Sequence, residues 1–207
     1  MRKSKLVTSS LCVLLLAGAT ALAGCKPKAV RGGPGTENPN LDEAAMSTGL
    51  DRKDIQYLVD ENLKSMFASG WWGKDVAAAG DAPSVAIWPI MNSTDQHLTS
   101  EMDTLLGDIE TTLVNSGYVT MINRERMGEM MAEVELEQNA AFDPNHAAQF
   151  GRQHGIKYFV TGKITNVDER MNGERRVQYS LFLQVIEVET SAIRFQYTSE
   201  RSKAIVR

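Results

Sequence analysis

The stretch NVDERMNGERRVQYSLFLQVIEV, residues 166–188, decides the fold. Asn172-Gly173 is the pair favoured in two-residue hairpin turns, because both central positions of such a turn need positive φ. Beyond it Val177, Tyr179, Leu181, Leu183 and Val185 recur at every second position and share one face of a strand. Phe182 and Ile186 lie on the other face, so part of that strand is expected to be covered on both sides. Alternation over 156–167 and 192–199 adds a strand on each side and gives a three-stranded meander. Asp168, Glu169 and Glu174 flank the turn and read as solvated turn charge.

Upstream, the period changes from two to that of a helix. Ile55, Leu58, Val59, Asn62, Met66 and Phe67 stand three and four apart, which predicts a helix with Asp51 as N-cap and Gly70 as its stop. Residues 84–90, SVAIWPI, read as a buried strand, with Pro89 marking an edge or an end. NSTDQ is a polar turn. Residues 99–115 form a second helix, with Met102, Leu105, Leu106, Ile109, Leu113 and Val114 on one stripe and Gly117 at its C′ position. YVTMI is another strand. Asn123 caps a helix with the stripe Met127, Met130, Met131 and Val134, and Asp143-Pro144 opens one that ends at Gly155. Helices and strands in this order predict an α/β fold, a mixed β-sheet with a C-terminal antiparallel meander flanked by helices, over 51–207.

The amino-terminal end follows a different logic. Arg2, Lys3 and Lys5 precede a short apolar segment and then small residues up to Gly24, the layout of a secretory leader over 1–24. Leu22-Ala23-Gly24-Cys25 resembles the lipobox of bacterial lipoproteins. That resemblance implies cleavage before Cys25, acylation of its thiol and, with Lys26 two places on, sorting to the outer membrane. Two buried acyl chains, each methylene contributing about 0.8 kcal/mol, make such an anchor stable. Cys12 leaves with the leader and lipid consumes Cys25, so disulfides and thiol chemistry are excluded from the mature chain. Residues 25–50 form a tether: KPKAVRGGPGTENPN holds three prolines and three glycines and few apolar groups. Its reach is about 80 to 90 Å fully extended and about 25 to 30 Å as a coil.

Of 207 residues, 183 remain after the leader, enough for one domain and a tail. The leader carries three positive charges and no negative one, so its loss takes the formal charge from −4 to −7. That balance argues against a nucleic-acid partner. Charge is also unevenly placed, with ten acidic and two basic residues over 92–142 against four acidic and seven basic over 170–207.

Nothing in the motifs builds a catalytic site. His146 and His154 are eight residues apart, too far for a one-turn metal pair, and His97 stands beside Asp95 as the sole remaining histidine. No Gly-x-Ser-x-Gly elbow or Gly-rich phosphate loop occurs. No cofactor or metal is expected. Trp71 and Trp72, between two glycines in SGWWGKD, carry two readings. They cover the edge of the core, or they are exposed anchors and candidate partner-binding residues, since tryptophan is enriched at interface hot spots. Both rings of an adjacent pair are buried only where the chain is enclosed on two sides.

Four segments carry a wider resemblance: SVAIWPIMNSTDQHL, ETTLVNSGYVTMINRERM, AAQFGRQHGIKYFVTGKI and SLFLQVIEVETSAIRFQYTSE. Together with the lipobox and tether they resemble the LpoB family, outer-membrane lipoproteins that activate class A penicillin-binding proteins, and more loosely the amino-terminal domain of TolB-like proteins. The resemblance implies a non-enzymatic activator of a bifunctional peptidoglycan synthase, facing the periplasm. Cys25 alone transfers as a site residue. The alternative is a structural or export-associated envelope lipoprotein that assembles into a multimer.

Overall fold

The computed structural model describes residues 29–32, 34–124, 128, 150–171 and 173–205. Residues up to Asp42 form one unit, whose described part consists of turns around an isolated bridge between Gly32 and Asn38. The second unit runs from Glu43 onward and holds the sheet.

Helix α1 spans Arg52–Phe67 and opens with a full capping box. The Asp51 carboxylate accepts from the N–H groups of Lys53 and Asp54, at 2.9 and 3.0 Å, while Asp54 accepts from the Asp51 N–H. Its stripe Ile55, Leu58, Val59, Leu63 and Met66 is buried, each side chain contributing roughly 1.5–3 kcal/mol. The helix closes at Ala68, and Gly70 lies in the next helical turn, not at the stop the sequence suggested. A π-helical turn, Trp72–Val76, follows, and the N–H of Ala77 reaches Trp72 O at 2.8 Å.

Strand β1 is Ser84–Ser93, α2 is Thr99–Ser116, and β2 is the two-residue Thr120–Met121. Gly117 ends α2 at φ 72, the left-handed cap expected of it. Leu105, Ile109 and Leu113 are buried and Met102 and Leu106 pack beside them, but Val114 has rotated off the stripe into solvent. The caps and stripes of the two helices assigned between Asn123 and Gly155 fall mostly outside the described residues. The last turn, 150–153, is helical, and Gly155 follows at φ 64.

Strands β3 (Tyr158–Met171), β4 (Glu174–Glu187) and β5 (Ile193–Ile205) form the meander, and the sheet order is β2-β1-β3-β4-β5. β1 is parallel to β2 and β3, whereas β3, β4 and β5 are antiparallel, so the sheet is mixed. Pro89 is not at a strand end, but β1 has an open edge there among the described residues, as the edge reading expected. It sits in a bulge, where pairing steps from Ile87↔Val160 to Ile90↔Gly162, and on its other side β2 has already ended. A bulge is where a strand tolerates the missing N–H. Gly162 opposite it is obligatory, because a Cβ there would lie 2.0 Å from Phe182 O.

One face of the sheet, with Val177, Tyr179, Leu181, Leu183 and Val185 on β4, buries against α1, α2 and the π-helical turn. On the other face Ala86, Phe150, Ile156, Phe159 and Val188 make a smaller core with Trp88. Ile186 is buried there and Phe182 half-buried, in line with the two-sided cover expected of β4.

Candidate docking surface

The meander is longer than the layer that backs it. β1 pairs with β3 as far as Ser93↔Thr165, so residues 166–171 keep only β4 as a strand neighbour on one side. They project with the start of β4 and the end of β5 as a three-stranded arm. Charge, read from sequence as turn decoration, is what builds this arm. Arg175 grips Asp168 through two nitrogens, at 3.0 and 2.7 Å, and Arg176 pairs with Glu169 directly opposite. The Arg175 guanidinium holds the Asp168 carboxyl below its ordinary value. Side chains alternate across the pleat, so one pair laces each face of the arm. The turn closes between Met171 and Glu174, with Gly173 at φ 82 as a two-residue hairpin requires.

The arm's apolar groups face water. Met171 is 75% exposed, and Val167 and Ile205 are also exposed. Met171, Glu174, Arg176 and Ala204 line a groove. Arg170 adds a cation with its side chain 71% exposed, reaching Asp168 only at 3.5 Å while Asp168 is already held by Arg175. An arm with preset charges, exposed methionine and a cation not engaged at short range has the makings of a protein contact, where a rigid apolar centre sits within a polar rim.

At the opposite end of the sheet the tryptophans do something else. Trp71 is 9% and Trp72 5% exposed. The Trp71 ring meets Tyr158 edge-on at 5.1 Å, and Trp72 meets Phe67 at 4.6 Å and Tyr118 at 6.2 Å. The chain there is enclosed on two sides, by β3 and by the end of α1, which is the condition for burying adjacent indoles. Both indoles pack into the core, in line with the core-edge reading of SGWWGKD. The signal missed in the sequence was the strand-forming charge of 168–176.

Cys25 and His146 lie outside the described residues. His97 contacts Thr99 Oγ1 at 3.3 Å, Asp95 is bonded to Asn166, and His154 packs on the Phe150 ring at 4.6 Å. Among the described residues no group of three metal-ligating side chains occurs, and no helix is long and apolar enough to cross a membrane.

Residues 54–200 match the family described as the peptidoglycan-synthase activator LpoB. The chain belongs to the LpoB family. The LpoB C-terminal domain from Salmonella enterica is similar in fold, at 14% identity and a TM-score of 0.51, over 72% of this chain and 98% of that one. The LpoB C-terminal domain from Escherichia coli aligns at 17% identity and a TM-score of 0.46, over 70% and 98%. TolB from Acinetobacter baumannii aligns at 22% identity and 0.29, over 57% of this chain and 23% of its own. Among curated proteins none matches this sequence. The match begins in the first turn of α1, contains both tryptophans, β3 and β4, and stops within β5.

Proposed function

We propose that this LpoB-family chain is a lipoprotein, anchored in the outer membrane through Cys25, whose domain docks on a class A penicillin-binding protein and raises its rate of glycan polymerisation and crosslinking. The family match over residues 54–200 carries the reading. The chain acts on the synthase and does no chemistry itself. Activation of this kind is a population shift: the domain must bind the active synthase conformation more tightly than the inactive one, and its effect is capped by that difference. The contact is made by the arm, with Met171 in an apolar recess of the synthase and Arg170 on a carboxylate beside it.

The test is a titration of purified residues 26–207 into the cognate synthase, with polymerisation rate and binding read together. A saturable rise in rate supports the activator. No rise and no binding at saturation removes it. A lasting oligomer in sedimentation, without a rate effect, points instead to an envelope assembly.

A further inference from the structure

Residues 48–50 precede α1, yet they are held by the sheet. The Tyr179 hydroxyl, in the middle of β4, donates to Thr48 O at 2.9 Å and accepts from Gln96 Nε2 at 2.5 Å. The Lys203 ammonium, on β5, donates to Gly49 O at 2.7 Å, to Asp51 Oδ2 at 2.5 Å and reaches Asp54 Oδ2 at 2.7 Å. An ammonium has three protons and a phenol one proton and an acceptor site, so both groups are fully used. Both sites are closed: the Lys203 and Asp54 side chains are 6% and 3% exposed, and Thr48 and Leu50 are buried. Arg201 lies 3.6 Å from Asp54 and balances the second carboxylate.

Take the two strap carbonyls away and a buried phenol and a buried ammonium each lose a partner, an expensive state in a water-poor site. The same junction reaches the arm. Gln96 belongs to the β1–α2 loop, whose Asp95 accepts from Asn166 Nδ2 at 2.6 Å, and Asn166 is the first arm residue beyond the pairing with β1.

We infer that residues 48–50 are a strap built into the domain, and that tension on the tether enters the sheet through β4 and β5, at the base of the arm, before it reaches α1. The tether then ends before residue 48. This holds whether or not a synthase is the partner, because it concerns only how the tether joins the fold.

Thermal unfolding of the full chain tests it, with residues 30–42 or 30–50 deleted. The shorter deletion is expected to leave Tm unchanged and the longer one to lower it by at least about 2 to 4 °C. Tyr179→Phe is expected to lower Tm in the intact chain and by less than half as much once the strap is gone. Equal melting of the two deletions, or an equal cost of Tyr179→Phe in both backgrounds, overturns the strap. Should the longer deletion fail to fold, elastase cleavage decides on the intact chain. Cutting between residues 48 and 50 should be slow in the wild type and at least several-fold faster with Tyr179→Phe, and equal rates contradict the inference.

Discussion

Tyr158, Trp71, Trp72 and Phe67 meet edge to face beneath two helices at one end of the sheet, while Met171 and Arg170 stand in water at the other. The arm is all strand, whereas three of the four aromatics stand on helical turns packed against β3, and the two ends are stabilised differently. The helix-backed end depends on burial, so its side chains have no surface left to offer. The arm depends on strand pairing and on two Arg–carboxylate laces, so it keeps its shape while leaving its apolar groups exposed. On the proposed function, stability and docking are divided along a single sheet.

That division can be broken first at the aromatic end. Trp71→Ala should destabilise the domain by about 3–5 kcal/mol in chemical unfolding, the usual cost of emptying a large core site. Met171→Ala should stay within about 0.5 kcal/mol of wild type in the same assay. If Trp71→Ala unfolds no more easily than Met171→Ala, the two ends do not differ as described. Next is Asn62, whose buried amide on α1 reaches Leu58 O, Leu181 O and Ser199 Oγ at 3.0, 3.0 and 2.6 Å. Asn62→Leu leaves the Leu181 carbonyl without its side-chain donor and should cost about 1–3 kcal/mol, read from urea midpoints.

A smaller effect follows from the clasp of Lys203. Burial opposes the charge of Asp51, but the bond from Lys203 and the backbone N–H groups of Asp54 and Lys53 outweigh it and hold the carboxyl below its ordinary 3.8. A depressed carboxylate contributes stability above its unfolded pKa and loses it as pH falls through the folded value. Lys203 is likewise disfavoured by burial, yet its two carboxylate partners raise it above 10.5, so its contribution is complete below that pH. Tm should therefore be flat with respect to this clasp from about pH 5 to 9 and drop below about pH 4. In Lys203→Met the drop should be shallower, and the gap to wild type should narrow in acid; parallel curves would count against the clasp. The smallest change is expected at Arg175→Gln, in the exposed arm, where Tm should barely move but the salt dependence of partner binding should.

Much of this fold was legible because period and turn chemistry agreed. The face of β4, the capping box at Asp51, the left-handed Gly117 and the Asn172-Gly173 hairpin follow from local rules that tertiary contacts reinforced. The failures share one cause, partners that only the folded chain brings together. Lys203 interrupts the apolar alternation and made β5 look finished at 199, although Asp51 and Asp54 satisfy it from 150 residues away. Charged residues 168–174 resembled a turn, because the arginines that pair with Asp168 and Glu169 stand across the hairpin. Pro89 looked terminal because a bulge cannot be read from one strand. The tryptophans were ambiguous for the same reason, since enclosure by Tyr158 and Phe67 is a property of the packed molecule.

The central claim, that the arm docks while the opposite end only holds the fold, is tested most directly by synthase stimulation measured for wild type, Arg170→Glu and Met171→Glu at matched folded concentration. The account predicts that both arm variants melt like wild type and lose at least tenfold in the concentration giving half-maximal stimulation. Undiminished stimulation by both variants, with the wild type active, would contradict it.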